Sequence, residues 1–263
     1  MKIQEKFSQL QECGKKALIV YLTAGLPDFD AMRELMKKLE DAGVDIFEIG
    51  VPFSDPIADG PILQNAAQIA LKKGVTLERI FQFCGQEKEN CGVPLLLMSY
   101  YNPVLHLGLS HFCLKCAETG VSGVIVPDLP LEESGRLAGL LKQSGIDLIQ
   151  FISSTTSARR RKKIIQNASG FIYYISVAGV TGPRDTLSPE LKHHVLELKK
   201  QTRIPVAVGF GISNETQVRQ LAEFADGIII GSYAMQEILE GNFAQLESAI
   251  RKFRKILDSN SGC

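Results

Sequence analysis

The chain has 263 residues, 45% of them apolar, and its 29 basic and 29 acidic side chains leave no formal net charge. This composition suits a large folded core and excludes the basic surface that is typical of proteins binding nucleic acid or anionic membranes. Residues 1–10 lack the apolar core of a secretory signal, and no run approaches the roughly 20 apolar residues that a membrane span needs.

Eight short apolar segments recur along the chain, and each is followed by a turn and an amphipathic stretch. The segments are nearly continuous in apolar residues instead of alternating with polar ones, which is typical of parallel strands covered by helices. The predicted strands are 17–21, 45–49, 95–99, 123–126, 147–151, 171–175, 205–208 and 227–230.

The helices between these strands are predicted from apolar residues at helical spacing. After the first strand, the positions i, i+3, i+4 and i+7 are occupied by Met32, Leu35, Met36 and Leu39. Asp28 or Asp30 can cap the start of this helix, and Gly43 can end it. The last helix follows Asn242, a candidate cap, and shows similar spacing over residues 243–257.

Eight strand–helix units without a linker predict an α/β fold, namely a closed (β/α)₈ TIM barrel in a single domain over residues 1–263. The long segment 50–94 has room for an extra helix, and a further helix is predicted at the N-terminus. A doubly wound open sheet is the alternative. The similar strand lengths and the lack of a glycine-rich first turn disfavour it.

Two carboxylates stand out near the end of the second strand. Glu48 alternates with Phe47 and Ile49, so Glu48 points into the barrel if the large apolar pair faces the helices. Apolar surroundings would raise the pKa of Glu48 and suit it to acid–base chemistry near neutral pH. Asp59 follows on a proline-rich loop and would approach the same cavity. The alternatives are a Glu48 paired with a basic side chain and an Asp59 that only shapes a turn.

Glycines cluster in the loops after the last three predicted strands, at 179–182, 209–211 and Gly231. Together with the N-terminus of a short helix over 233–239, their backbone amides can form an anion site that needs no lysine. The loops after strands seven and eight often bind phosphate in barrels of this kind. Any single glycine could be an ordinary turn residue, but three clusters on consecutive loops favour phosphate binding.

The six cysteines and four histidines show no metal-ligand spacing. Cys113 and Cys116, the only close pair of cysteines, fall in a helical pattern and are predicted to be buried thiols without a metal or redox role. Reduced cysteines indicate a cytoplasmic protein. Lys15, Lys16 and the basic run 159–163 are predicted to be solvated faces of helices, and no strand offers a lysine for Schiff-base chemistry.

The stretch 47–64, which contains both carboxylates and three prolines, closely resembles the signature of the tryptophan synthase alpha subunit family. The supporting segments are 21–25, 98–103, 127–130, 176–182 and 208–213. The resemblance implies a lyase of tryptophan biosynthesis that cleaves indole-3-glycerol phosphate, by a retro-aldol reaction, to indole and glyceraldehyde 3-phosphate. It also implies that this chain needs no metal or cofactor.

By the same resemblance, Glu48 is the acid/base that protonates the indole ring carbon bearing the glycerol chain, and Asp59 binds the indole N–H. Tyr173 is expected near the reacting glycerol, and Tyr21 and Met98 are expected to line the indole pocket. The full set of predicted substrate contacts is Tyr21, Met98, Tyr100, Tyr173, Thr181, Gly182, Gly211, Gly231 and Ser232.

The resemblance further implies a beta subunit that carries pyridoxal phosphate, in an α₂β₂ complex through which indole is passed. The positions that match this contact are Pro52, Asp55, Pro56, Asn102 and Asp128. Val177 stands where several family members carry arginine, which leaves open how the loop after strand six closes. A stand-alone lyase and a non-catalytic barrel that activates a partner are the alternatives. The retention of both Glu48 and Asp59 argues against the non-catalytic barrel.

Overall fold

Aliphatic and β-branched residues form strands at the eight places where the sequence is most continuously apolar. The computed structural model describes residues 2–175, 187, 189–209 and 211–259. In these residues eight parallel strands pair in chain order, and β8 pairs with both β7 and β1, which closes the sheet into a barrel. The strands are β1 (Ala17–Thr23), β2 (Ile46–Gly50), β3 (Leu95–Met98), β4 (Val121–Ile125), β5 (Asp147–Ser153), β6 (Ile172–Ile175), β7 (Val206–Gly209) and β8 (Gly227–Ile230). The predicted barrel is confirmed, and every strand end lies within two residues of its predicted position.

Twelve helices lie in the described part of the chain, and none of them is long and apolar enough to cross a membrane. They are α1 (Ile3–Glu12), α2 (Phe29–Asp41), α3 (Pro61–Lys72), α4 (Leu77–Glu87), α5 (Tyr101–Leu107), α6 (Leu109–Glu118), α7 (Gly135–Gln143), α8 (Ala158–Asn167), α9 (Pro189–Lys199), α10 (Glu215–Ala222), α11 (Ser232–Leu239) and α12 (Phe243–Asp258). The extra helices predicted at the N-terminus and after β2 are therefore confirmed as α1 and as α3 with α4.

The structure confirms the predicted cap of α2 and contradicts the predicted cap of α12. Asp28 caps α2, because its Oδ1 atom accepts a hydrogen bond from the Ala31 N–H at 2.9 Å. Asn242 precedes α12 as predicted, but its side chain makes no capping hydrogen bond. The Asn242 amide instead donates to Glu240 Oε2 at 3.1 Å, so this part of the prediction is wrong.

The strand side chains divide into two apolar layers. Phe47 and Ile49 belong to the outer layer, which lies between the strands and the surrounding helices. Ile46, on the same strand, belongs to the inner layer that fills the barrel. This alternation follows from the two-residue period of a strand, and it fixes which side chains of β2 can reach a cavity inside the barrel.

Helix α1 closes the amino end of the barrel. Its apolar face, formed by Ile3, Phe7 and Leu10, is buried in the inner layer. The ring of Phe7 lies 5.7 Å from the ring of Phe171, which stands at the start of β6. Side chains therefore fill this end of the barrel in the described residues.

Lys15 and Lys16 do not lie on a helix, so their predicted placement is wrong. Helix α1 ends at Glu12, and Gly14 follows with a φ of 67°, a value that turns the chain out of the helix. Lys15 and Lys16 occupy the loop between this turn and β1. The basic run 159–163 does lie on a helix, α8, where most of its side chains are exposed as predicted.

Candidate active site

Glu48 lies inside the barrel, at the middle residue of β2. It is 2% exposed, and within the described residues its Oε2 atom has no hydrogen-bond partner. No described basic side chain forms a salt bridge with it, so the alternative of an ion-paired Glu48 finds no support. The neighbouring strands place Tyr21 and Leu96 beside it in register.

The environment of Glu48 favours its protonated form. Burial raises the pKa of Glu48 to about 8, and the negative charge of Asp59 contributes to the same shift. At neutral pH the carboxyl group therefore holds its proton. A carboxylic acid that is neutral at pH 7 can serve as a general acid, which an exposed glutamate cannot do efficiently.

Asp59 lies on the loop between β2 and α3, and Tyr100 fixes this loop. The Tyr100 hydroxyl accepts a hydrogen bond from the Ala58 N–H at 3.0 Å. Burial raises the pKa of Asp59 to about 6, and a hydrogen bond from the Tyr100 hydroxyl opposes this rise. Asp59 is therefore mostly ionised at neutral pH, in contrast to Glu48.

Glu48 and Asp59 line the same cavity, which has a volume of about 220 Å³. None of the described side chains that line it is a lysine, an arginine or a histidine. The lining combines two carboxyl groups with tyrosine, aliphatic and glycine residues. The other lining residues are Tyr21, Ala58, Gly60, Leu63, Met98, Pro127, Phe151, Tyr173, Ile175, Gly211, Ile229, Gly231 and Ser232.

Two tyrosines of the cavity need a glycine on the adjacent strand. A Cβ atom at Gly50 would overlap the hydroxyl of Tyr21, and one at Gly209 would lie 2.6 Å from the hydroxyl of Tyr173. These glycines of β2 and β7 therefore let the rings lie across the barrel. Burial raises the pKa of both tyrosines, so both hydroxyl groups remain protonated at neutral pH.

Three of the predicted phosphate-binding residues, Gly211, Gly231 and Ser232, line the cavity. Ser232 is the first residue of α11 and Gly231 is its N-cap, so the helix presents unpaired N–H groups there. Gly211 has a φ of 75°, a conformation that glycine adopts readily, and a Cβ atom there would meet open space. Thr181 and Gly182 lie outside the described residues.

The remaining predicted substrate contacts also occupy the carboxyl end. Tyr21, Met98 and Tyr173 line the cavity. Tyr100 does not line it, but it holds the Asp59 loop through the hydrogen bonds described above. The cavity thus contains six of the nine predicted contacts together with both carboxylates.

The residues predicted to meet a partner subunit follow β2, β3 and β4 at the carboxyl end of the barrel, and their exposures differ. Asp55 and Asn102 are exposed, Pro56 and Asp128 are half-buried, and Pro52 is buried. Asp128 also has a local role, because its Oδ1 atom accepts a hydrogen bond from the N–H of Tyr101, the first residue of α5, at 2.8 Å.

Several residues that line the cavity were not predicted from the sequence. Phe151, Ile175 and Ile229 stand at inward positions near the carboxyl ends of their strands, so the two-residue period could have identified them. Leu63 lies on α3, and its approach to the cavity depends on the path of the preceding loop. No local sequence signal specifies that path.

None of the described cysteines and histidines lines the cavity. Cys113 and Cys116 are buried, and burial raises the pKa of both thiols. His106, His111 and His193 are exposed on helices. In the described part of the chain, no group of three His, Cys, Asp or Glu side chains could hold a metal ion.

Comparisons with known proteins identify the family of the chain. The family described as "Tryptophan synthase alpha chain" matches residues 7–260. A protein of this name from Petrotoga mobilis is 43% identical over 259 residues, which cover 97% of this chain and 98% of the relative. The crystal structure of tryptophan synthase subunit alpha from Legionella pneumophila is 34% identical, with a TM-score of 0.90 and coverage of 98% and 99%. A chain of Mycobacterium tuberculosis tryptophan synthase is 32% identical, with a TM-score of 0.88 and coverage of 97% of both chains. The chain therefore belongs to the tryptophan synthase alpha chain family.

Proposed function

We propose that this chain is a carbon–carbon lyase of tryptophan biosynthesis that cleaves indole-3-glycerol phosphate to indole and glyceraldehyde 3-phosphate. The observation that carries the proposal is the pair of carboxyl groups in one largely apolar cavity, one neutral and one ionised near pH 7. Family membership supports the same reaction. The assignment of Glu48 and Asp59 as the reacting groups is part of this proposal.

In the first step Glu48 donates its proton to the indole ring carbon that bears the glycerol chain. The ring then carries a positive charge that is shared with the ring nitrogen. Asp59, ionised at this pH, accepts a hydrogen bond from the ring N–H and stabilises that charge. Because the pKa of Glu48 is about 8 and that of Asp59 is about 6, Glu48 carries the proton and Asp59 carries the negative charge near pH 7.

In the second step the carboxylate of Glu48 accepts the proton of the hydroxyl group next to the ring. The electron pair of that O–H bond forms the carbonyl of glyceraldehyde 3-phosphate, and the carbon–carbon bond breaks. Its electron pair returns to the ring and gives neutral indole. Glu48 ends protonated as it began, so the cycle needs no external oxidant, reductant or base.

The phosphate group of the substrate would bind at Gly211, Gly231 and Ser232. The described lining of the cavity offers no cationic side chain, so main-chain N–H groups at the start of α11 are the available donors. The indole ring would then extend toward Glu48 and Asp59, and Thr181 and Gly182 would complete the phosphate contacts.

The proposal includes a partner, a beta subunit with pyridoxal phosphate in an α₂β₂ complex. Two large apolar side chains are exposed on elements that border the site: Ile57 is 81% exposed on the Asp59 loop, and Leu105 on α5 is 48% exposed. The rings of Phe53 and Tyr100 lie 5.4 Å apart and join the loop to the start of α5. Exposed apolar groups next to the polar Asp55 and Asn102 suit a protein interface.

A cytoplasmic location is the last part of the proposal. Its support is the state of the cysteines. The five described cysteines are free thiols, and Cys84, Cys113 and Cys116 are buried. Free thiols fit a reducing compartment.

The experiment is an indole-release assay on the purified chain, repeated with a beta subunit. The substrate contains the same indole ring, so free indole is first separated from the phosphorylated substrate by extraction into an organic solvent and is then quantified. This chain contains no tryptophan and adds no indole signal of its own. We expect slow release by the chain alone and stimulation by the beta subunit. Release without stimulation would replace the complex by a stand-alone lyase. No release under either condition would refute the lyase assignment.

A further inference from the structure

A second cavity, of about 450 Å³, lies at the amino end of the barrel, beside α1. Its lining residues come from α1, from the loop between α1 and β1, from the end of α9 with the loop that follows, and from the position just before β8. We call it the amino-end cavity. None of its lining residues also lines the active-site cavity at the carboxyl end. The amino-end cavity is therefore distinct from the site of the proposed reaction.

Positive charge is concentrated in the amino-end cavity. Among the described residues that line it, the cationic ones are Lys15, Lys16, Lys199 and Arg203, and Asp226 is the one acid. The chain as a whole has no formal net charge, so this excess of cations is local. A cleft whose walls carry one sign of charge concentrates ions of the opposite sign. The amino-end cavity therefore attracts anions.

Two of the four cations already have an acid partner. Lys199 Nζ lies 2.6 Å from Asp226 Oδ1, and Lys15 Nζ lies 3.6 Å from Asp258 Oδ1. The other carboxylate oxygen of Asp226, Oδ2, accepts a hydrogen bond from the Val206 N–H at 2.9 Å. Both oxygens of the one acid that lines the cavity are thus engaged.

Lys16 and Arg203 are the two cations that remain. Neither side chain forms a salt bridge or a hydrogen bond with a described residue. Lys16 is half-buried, and burial together with the nearby charge of Lys199 lowers the pKa of its ammonium group. A bound anion would offset both effects, because an opposite charge favours the protonated lysine. Arg203 is exposed, so its guanidinium is free to donate two parallel hydrogen bonds to a phosphate group.

We propose that the amino-end cavity binds a small phosphate-bearing anion between Lys16 and Arg203. The Lys16 ammonium supplies a point charge, and the Arg203 guanidinium binds two phosphate oxygens. Lys15 and Lys199 add positive charge from their paired positions. A diphosphate suits the site better than a single carboxylate, because two cations without an acid partner call for more than one negative charge. The volume of about 450 Å³ lies within the range of pockets that bind small ligands.

The test measures the binding of pyrophosphate to the full chain by isothermal titration calorimetry. The active site is a second place for a phosphate group, so the titration uses the variant Gly231→Asp, whose added carboxylate repels an anion there. We expect saturable binding of one pyrophosphate per chain and a higher melting temperature in its presence. Sodium chloride at the same ionic strength is the control for screening by salt. Absence of saturable binding would refute the site.

Three further substitutions, each of which removes one positive charge, locate the bound pyrophosphate. Added to Gly231→Asp, Lys16→Met and Arg203→Met should each weaken binding about tenfold, because each removes a charged hydrogen-bond donor. Arg203 is exposed, so its substitution should leave the fold intact. Lys142→Met, at an exposed position of α7, is the matched control and should not change the affinity. Equal weakening in all three variants, or unchanged affinity in both Lys16→Met and Arg203→Met, would refute the site.

The anion site and the proposed function fail separately. Made in the otherwise unchanged chain, Lys16→Met and Arg203→Met should keep the rate of indole release, because neither residue lines the active-site cavity. Pyrophosphate binding to a chain that releases no indole would refute the proposed function and leave the anion site. Normal indole release without pyrophosphate binding would refute the anion site alone.

Discussion

The acidic side chains at the two ends of the barrel differ in whether a cation pairs with them. At the amino end, Asp45 lies 2.7 Å from Arg254 Nη1, and Asp226 lies 2.6 Å from Lys199 Nζ. At the carboxyl end, Glu48 is buried as deeply as Asp45 but has no cationic partner among the described residues. An acid that is paired with a cation connects structural elements. Glu48 has no such cation among the described residues and can exchange a proton.

The unpaired acid also links stability to pH. The pKa of Glu48 in the folded chain, about 8, lies above its ordinary value of 4.5. Glu48 therefore favours the folded state fully below pH 4.5, and this contribution is lost as the pH rises through 8. From the definition of linkage, the loss amounts to roughly 3 kcal/mol at pH 7, as an upper limit.

The largest expected effect comes from removing the proton of Glu48. Glu48→Gln should lower the rate of indole release by about 10²–10⁴-fold while substrate binding is retained, because the amide cannot donate a proton to carbon. Turnover and substrate affinity are measured separately. Glu87→Gln is the matched control: Glu87 is buried but paired with Arg33 at 2.6 Å, so its change should reduce stability and keep turnover. A near-normal rate in Glu48→Gln would remove that residue from the mechanism.

The next largest effect concerns the amino end. Arg254→Met should lower the free energy of unfolding by about 3 kcal/mol, because Asp45 is left buried without its cation. Urea unfolding at pH 7 measures the loss, and the rate of indole release by the folded variant should not change. If this variant lost activity while its stability stayed normal, the proposed division of roles between the two ends would be wrong.

A smaller effect is expected at the phosphate side of the cavity. Gly231→Asp should raise the KM for the phosphorylated substrate roughly 10- to 100-fold through repulsion of the anion. Aspartate is a favourable N-cap, so the melting temperature should not fall. Gly231→Ala is the control, because its Cβ atom would lie 3.7 Å from Tyr21 Cβ, an ordinary contact. Equal KM values for the two variants would argue against phosphate at this position.

The smallest effect concerns the pH profile. The value of kcat/KM should be highest between about pH 6, where Asp59 becomes ionised, and about pH 8, where Glu48 loses its proton. Tyr100→Phe removes a hydrogen bond that lowers the pKa of Asp59, so the acid side of the profile should move to higher pH by less than about one unit. An acid side that stays in place would show that Tyr100 acts on the loop and not on this pKa.

The barrel could be predicted from the sequence because each strand and each helix leaves a local, periodic pattern of apolar residues. Each strand is an apolar segment of four to seven residues, and the alternation in β2 was enough to place Glu48 inside. The misplaced Lys15 and Lys16 had a local signal as well, since Gly14 ends α1. Gly14 lies directly before Lys15 and Lys16, but the charge of these two lysines favoured the prediction of a solvated helix face.

The position of Asp59 could not be derived in the same way. Its loop is fixed by Tyr100, which is about 40 residues further along the chain, and a contact over this distance leaves no periodic pattern.

Helix α1 has a consequence for synthesis on the ribosome. Its apolar face, with Phe7, is made early, but Phe171 in the layer that covers it emerges about 160 residues later. At typical translation rates this delay is on the order of ten to thirty seconds. During that time the apolar residues of the first helix have no layer to cover them, so the nascent chain exposes them to solvent.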